Sequence, residues 1–420
     1  MTLESILTLL AVLILAKGLF GVFEGIRYLE YVRKHLATRP ETWTPPVSVV
    51  VPCKGLEFEL KENVEAVFRQ VYPFFEVLIV TATENDPAVE PLKNLAAKFP
   101  GHKIRFVTAG ISSDRGEKVQ NLIQAIAQAD SASDVFVFTD SDSRPHLYWL
   151  QELVAPLRNE QVGVSTGYRW YYPTRGNWAG VVRSAWNASI ATLLGNHNYN
   201  FAWGGSMAIR KSTFQRARVL QYWQRSISDD YSMTQAMKDA KLRIHYEPRC
   251  LIASFGRCSW RELLEWSTRQ MILTKVYSRK LWRLALVSQW SFTLVWWWAL
   301  AGVVIALLPI RESWIVSPLW GGGVHKYALL AGPLFLFGAV RGWYRIRTIQ
   351  RLRPENRKPI QVFWWAYVLL FPLASTLTAY NLARSVLSSS IEWRGVRYEF
   401  GPAQELRVIR SDATTGSRSV

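Results

Sequence analysis

Three cysteines in 420 residues leave little from which to build a covalent framework. Cys53, Cys250 and Cys258 are unevenly spaced, and no histidine stands at a zinc-like interval from them. A disulfide scaffold and a cysteine–histidine metal cluster are therefore excluded, leaving buried thiols of a reducing compartment. Acidic residues are also short, 32 against 50 Lys and Arg, for a formal net charge of +18. Nucleic acid is one partner for such a charge, but the basic residues form no groove-like stripe. They flank apolar segments instead, at Arg33-Lys34, Arg279-Lys280 and Arg341 through Lys358. That is the positive-inside pattern of a chain beside anionic lipid, so a membrane and not nucleic acid is expected. No internal repeat occurs. The apolar segments carry almost no ionisable residues, which argues against a transporter or a membrane scaffold.

The marks of a cleaved leader are missing as well. Ser5 to Phe23 is apolar apart from Lys17, yet Glu4 precedes it and Arg27, Arg33 and Lys34 follow it. An uncleaved anchor with its basic end in the cytosol is expected, with residues 1–44 forming anchor and linker. Three further apolar segments lie near the other end: Leu284 to Ile310, Tyr327 to Val340, and Val362 to Val386 with Pro372 inside it. They define a C-terminal membrane region over 284–388, followed by a basic and polar tail over 389–420 that frays after Ser411. Basic clusters stand on both sides of the last segment. It is therefore either a fourth crossing or a re-entrant hairpin with Pro372 near its tip.

Between these ends, residues 45–283 read as a cytosolic α/β domain opened by Pro45-Pro46. Strands are predicted at Val47 to Val51, Val77 to Val80, Ile104 to Val107 and Val135 to Phe138, with helices at Leu60 to Gln70 and Lys118 to Gln128. This alternation predicts a doubly wound, mostly parallel sheet. Trp260 to Trp282 mixes Trp, Leu, Arg and Lys, as an interfacial helix does.

The chemistry concentrates at Asp134-Val-Phe-Val-Phe-Thr-Asp-Ser-Asp-Ser143. An apolar strand buried on both faces runs into Asp140 and Asp142, and ligands of open α/β sheets bind at that carboxyl end. Two hard carboxylates there suit Mg²⁺ or Mn²⁺ bridging the phosphates of a nucleotide. Further on, Asp229-Asp230 supplies adjacent carboxylates where a helix begins. An N-cap explains such a pair as well as a base does.

Six short stretches occur in one order: Val47-Ser-Val-Val-Val-Pro-Cys-Lys-Gly55, Glu84-Asn-Asp-Pro-Ala88, Glu117-Lys-Val-Gln-Asn-Leu122, Thr139-Asp-Ser-Asp142, Trp203-Gly-Gly-Ser-Met-Ala-Ile-Arg-Lys211 and Ser228-Asp-Asp-Tyr-Ser-Met233. With Ile391-Glu-Trp-Arg-Gly-Val-Arg-Tyr398 in the tail, the chain resembles the family-two glycosyltransferases, and within them the ceramide glucosyltransferases and their bacterial relatives. The resemblance implies a GT-A-type nucleotide-sugar-binding domain and an inverting transfer of one sugar, glucose, from UDP-glucose to a ceramide-like lipid hydroxyl. It also implies an integral membrane enzyme, placed in a bacterial inner membrane.

By the same resemblance Asp140 and Asp142 hold the metal, Asp230 is the base with Asp229 beside it, and His197 lies near the active site. The donor is expected against Pro52, Lys54, Asp86, Lys118, Asn121, Asp140, Gly204, Gly205 and Arg269. The two glycines would let backbone approach the donor sugar. The departure is Arg269-Gln-Met-Ile-Leu273, where Ile272 and Leu273 replace the family's Arg-Trp. Arg269 and Lys275 remain to clamp diphosphate, Trp266 is the candidate replacement for the stacking ring, and Ile272 and Leu273 are expected to meet acyl chain. Diacylglycerol, a hopanoid or a polyprenyl phosphate are alternative acceptors. A processive polysaccharide synthase is an alternative activity. The oligomeric state is not legible.

Overall fold

The computed structural model describes residues 3–38, 42–307, 324–401 and 406–410. Seven strands form one sheet: β1 Val47–Pro52, β2 Phe75–Thr81, β3 Lys103–Thr108, β4 Val135–Thr139, β5 Val162–Tyr171, β6 Ser206–Arg210 and β7 Arg243–Ser254, in the order β3-β2-β1-β4-β6-β5-β7. All neighbours are parallel except β6, which runs antiparallel to both β4 and β5. This is the mostly parallel arrangement expected from the sequence.

Both faces are covered, so the strands need no polar side. Val49, Val51, Val135 and Val137 pack into one core layer with residues of helices Leu60–Phe68, Val89–Ala96 and Trp149–Val154. Val50, Phe136 and Phe138, next along the same strands, pack into the other with Leu122 and Met233. The period-2 alternation of a strand thus feeds two apolar layers at once, which is why β4 reads as a continuous apolar run and β1 as one broken only by Ser48. Because β6 follows β4 in the sheet, Thr139 pairs with Ser206, and the Trp203-Gly204-Gly205 turn lies against the Asp140 end of β4.

The N-terminal helix, Leu3–Ala37, has 35 residues. At 1.5 Å per residue that is about 50 Å, more than the hydrocarbon core of a bilayer requires, so a crossing would use only part of it and leave the last turns over. They dock on β7: Tyr28 Oη lies 2.9 Å from Tyr246 Oη, and Tyr31 Oη donates to the Tyr246 carbonyl at 2.5 Å. Among the described residues two helices are long and apolar enough to cross a membrane, Ser5–Ala37 and Arg279–Leu307. Positions 308–310 of the second expected segment, and the tail from 411, lie outside the described residues.

Of the other two segments, one lies within a longer helix and one is broken in two. Tyr327 to Val340 falls inside a 29-residue helix, Val324–Leu352, whose second half carries Arg341, Arg345 and Arg347. Its Gly342 approaches helix Trp364–Leu369 so closely that a Cβ would sit 2.1 Å from the Tyr367 carbonyl oxygen. Val362 to Val386 breaks into Trp364–Leu369 and Phe371–Leu387, with Pro372 in the first turn of the second helix. Pro lacks an N–H that the first turn does not use, so Pro372 starts the second helix directly after the break at Leu370. The segment expected as tail folds into a second sheet: β8 Ser390–Trp393, β9 Val396–Phe400 and β10 Leu406–Arg410, antiparallel in the order β10-β9-β8.

Candidate active site

Asp140 and Asp142 leave β4 at the carboxyl edge of the sheet, and a cluster of charge forms around them. Lys118, from helix Glu117–Ala127, lies 2.7 Å from Asp140 Oδ1 and 3.1 Å from Asp229 Oδ2. Arg169, from β5, forks onto Asp142 with Nη2 donating to Oδ1 at 2.6 Å and Nη1 to Oδ2 at 2.8 Å, and also reaches Asp140 Oδ2 at 3.2 Å. Its guanidinium stacks 5.1 Å from the Trp203 ring. Such a planar fork on a carboxylate is a strong, geometrically defined pair.

Burial pulls the Lys118 ammonium down, but the charges of Asp140 and Asp229 outweigh it and hold the group well above its ordinary value. Burial likewise pushes Asp140 up, and Lys118 and Arg169 reverse this to hold it below the usual carboxylate value. Asp229 goes the other way. Its burial, together with the charges of Asp230 and Asp140, pushes it up to about 6 against the pull of Lys118.

Helix Asp229–Asp239 presents the second acidic pair. The cap is Ser228, whose hydroxyl accepts from the Tyr231 N–H at 3.2 Å, so Asp229 is not needed for capping. Asp229 is buried against Lys118, while Asp230 Oδ1 accepts from the Ser228 hydroxyl and from the Tyr231 N–H at 2.7 Å.

The remaining predicted residues divide. Pro52 ends β1, and the Asp86 carboxylate binds the Gly55 N–H at 2.8 Å and the Ala88 N–H at 2.9 Å. Asp86 therefore makes the turn that Asp-Pro suggests and ties the loops after β1 and β2 together. Lys54 pairs with Glu117 at 3.0 Å. Asn121 is buried, with its Oδ1 lacking a hydrogen-bond partner.

Gly204 and Gly205 make room for protein groups: a Cβ on Gly204 would lie 2.1 Å from Asp229 Oδ2 and 2.7 Å from Lys118 Nζ, and one on Gly205 would enter the Trp203 ring at 2.2 Å. Gly204→Ala should accordingly force the Asp229–Lys118 pair apart and destabilise the chain by about 1–3 kcal/mol. Gly101→Ala, with nothing within 4 Å of the new methyl, should be near neutral, and denaturant unfolding of the two variants checks the difference.

His197 is elsewhere. It lines a small cleft beside edge strand β7 with Tyr31, Arg243 and His245, and its Nδ1 accepts from the Tyr199 N–H at 3.2 Å. Three expectations for helix Trp260–Tyr277 also need correction. Lys275 donates to the carbonyls of Ser385, Val386 and Ser388 at 2.6–3.1 Å, completing the end of helix Phe371–Leu387, and is not placed to clamp diphosphate. Ile272 and Leu273 are 4% and 7% exposed and pack with Ile227, Ile391, Val396 and Tyr398, so they hold the tail sheet and do not meet acyl chain. Trp266 packs edge-on to Tyr171 and Trp186. The ring stacked on Arg269 is Trp393 of β8, 5.1 Å away.

Sequence reasoning missed two things. Arg169 was legible only as a charge inside a strand buried along its whole length. The tail sheet reaches the site's rim: Arg394 pairs with Glu57 and donates to the Lys54 carbonyl at 3.4 Å, and Arg410 lies 3.5 Å from Glu117.

A divalent cation can be tested against this donor set. Asp140 and Asp142 offer hard oxygens, and the cluster holds four carboxylates (Asp140, Asp142, Asp229, Asp230) against two cations (Lys118, Arg169), leaving about two negative charges for an ion to offset. Asp142, 40% exposed, is the accessible ligand. The residues fit such an ion provided Arg169 shares or releases the Asp142 carboxylate.

Residues 10–406 match the family described as glycosyl transferase family 21. Among curated proteins, ceramide glucosyltransferase 1 of Caenorhabditis elegans is 28% identical over 116 residues, 26% of this chain and 25% of that protein. A ceramide glucosyltransferase of Komagataella phaffii is 32% identical over 89 residues, 21% of this chain and 17% of that protein. The matched stretch spans a quarter or less of these relatives. Among solved structures, a mannosyltransferase from Pyrobaculum calidifontis in complex with GDP-Man and Mn²⁺ is 15% identical, with TM-score 0.47, over 91% of this chain and 98% of that one. Glucosyl-3-phosphoglycerate synthase from Mycobacterium tuberculosis with Mn²⁺ and UDP-glucose is also 15% identical, with TM-score 0.37, over 59% and 82%.

Proposed function

The chain belongs to glycosyl transferase family 21, and from that premise we propose that it moves a single sugar, glucose, from a UDP-sugar to the hydroxyl of a ceramide-like membrane lipid with inversion. The observation that carries this reading is the cluster at the end of β4, where Asp140, Asp142 and Asp229 gather around Lys118 and Arg169 beside Asp230. Acids and cations packed this closely suit a charged diphosphate on one side and a proton-accepting carboxylate on the other.

In this scheme Lys118 and Arg169 supply positive charge to the donor's diphosphate. A divalent cation held by Asp140 and Asp142 would offset the charge of the departing diphosphate. Asp230 takes the proton of the attacking lipid hydroxyl. Its Oδ1 is engaged by Ser228 and the Tyr231 N–H, so Oδ2 is the oxygen assigned to that step. Asp86 and Lys54 hold the loops on which the uracil end of the donor would rest.

The lipid reading is supported by the names of the matched relatives and by the placement of the apolar helices. Arg279–Leu307 directly follows helix Trp260–Tyr277, whose Trp260 is 55% exposed at one end. An acyl-chain acceptor leaves the bilayer at about 0.8 kcal/mol per exposed methylene, so the site must open at a membrane surface. We place the catalytic domain on the cytosolic face of a bacterial inner membrane, the side favoured by the basic flanks.

The test is direct. Membranes containing the protein are incubated with UDP-glucose, UDP-galactose and GDP-mannose, and new lipids are identified by mass spectrometry. A lipid carrying one hexose, formed from UDP-glucose with ceramide present, is the expected product. A polymer would replace this reading with a processive synthase, and turnover only with diacylglycerol or a polyprenyl phosphate would replace the acceptor.

A further inference from the structure

Away from the aspartate cluster, the end of the N-terminal helix meets β7 through three metal-ligating side chains. His35, His245 and Glu247 each bring one ligand atom to within 4.8 Å of the other two. The imidazole rings of His35 and His245 lie 5.8 Å apart, and His245 Nε2 is 3.7 Å from Glu247 Oε2. His245 and Glu247 are two apart on a strand and so project from the same face.

The surroundings orient these groups for a ligand. His35 Nδ1 lies 3.1 Å from the Tyr31 carbonyl. A carbonyl only accepts, so Nδ1 carries the proton and Nε2 is left as the nitrogen able to ligate an ion. Glu247 is buried, and its Oε1 is fixed by the Arg249 backbone N–H at 3.1 Å and side-chain Nε at 2.9 Å. The other oxygen faces the buried Nε2 of His245, which has no partner within hydrogen-bond distance and Glu247 Oε2 at 3.7 Å as its ion-pair neighbour. Carbonyl-fixed imidazole and hydrogen-bonded carboxylate are the outer-shell devices that orient metal ligands.

We propose that His35, His245 and Glu247 bind a borderline divalent transition ion of the Zn²⁺ class, which staples the membrane-proximal end of the N-terminal helix to the catalytic sheet. Two imidazole nitrogens and one carboxylate oxygen favour Zn²⁺ or Co²⁺ over Mg²⁺, so the site is chemically distinct from the all-carboxylate pair Asp140/Asp142. Tetrahedral ligands about 2.0–2.2 Å from an ion stand roughly 3.4 Å from one another. The three atoms need close by little more than an ångström, within reach of small side-chain rotations. The fourth position is left to water or to a group from the adjoining cleft that Asn196, His197 and Asn198 line.

Full-length protein without a histidine tag, purified in detergent and stripped of metal, is titrated with Co²⁺ and separately with Zn²⁺. Wild type should take up one equivalent of Co²⁺ with the intense visible bands of a tetrahedral ion, displaced by Zn²⁺. His35→Gln and His245→Gln should each weaken binding at least tenfold, while Asp142→Asn leaves the spectrum intact. Zinc X-ray absorption of the wild type, which needs no variant, should show two imidazoles. The proposal is overturned if wild type binds no stoichiometric Co²⁺, if both histidine variants fold and bind as wild type does, or if the bands vanish in Asp142→Asn alone.

Discussion

Asp230→Asn should bind the nucleotide sugar as wild type does and transfer sugar about a thousandfold more slowly, or worse. The asparagine keeps the shape of the side chain and an oxygen for the Ser228 hydroxyl and the Tyr231 N–H, so the start of helix Asp229–Asp239 survives. What it loses is an anionic oxygen in the Oδ2 position, and an amide cannot accept the lipid's proton. A thousandfold loss corresponds to about 4 kcal/mol of transition-state stabilisation. Because the interaction is made only as the proton moves, kcat should fall while donor affinity holds. Asp229→Asn is the informative neighbour. Asp229 is buried on Lys118, so its loss should loosen the donor side and lower stability more than it slows the chemical step. Nucleotide titration and turnover measured on both variants separate the two roles. An Asp230→Asn enzyme of full activity would take the base role from this residue.

The second large effect is expected at Asp142. Asp142→Asn should reduce transfer by roughly a thousandfold or more, and a chelator should do the same to wild type, because both remove positive charge from the leaving diphosphate. The structure alters how this test must be made. Asp142 is also the bidentate partner of buried Arg169, and truncation to alanine would strand half of that guanidinium at about 3–5 kcal/mol in stability. Asparagine retains one acceptor and keeps the fold comparison fair. Arg169 adds an internal check. It occupies both oxygens of Asp142, so a cation and Arg169 compete for one carboxylate, and Arg169→Gln should tighten Mn²⁺ binding while weakening the nucleotide. Activity near wild type both with chelator and in Asp142→Asn would remove the metal from this site.

The amino-acid sequence by itself determined the sheet and its binding edge. The segments Val47 to Val51 and Val135 to Phe138 became β1 and β4, and Asp140 and Asp142 fell where the second, wholly apolar run stops, because a strand buried on both faces admits a polar side chain only where a partner satisfies it, as Glu76 and Ser133 do for Ser48 in β1. The start of helix Asp229–Asp239 was legible for a similar reason: Ser228 and two acids are a local signal that needs no distant partner.

The tertiary structure decided which side chains meet. Arg169 reaches Asp142 because β6 inserts between β4 and β5 and brings the two parallel strands' ends to one rim, a pairing no local pattern encodes. Gly204 turned out to accommodate Asp229 and Lys118, and Ile272 and Leu273 turned inward. The aromatic partner of Arg269 came from Trp393, more than a hundred residues along the chain, once the tail had folded as a sheet over helix Trp260–Tyr277. Composition and periodicity report what a segment buries. They do not report what it is buried against, since that depends on long-range packing that forms only when the whole chain has closed.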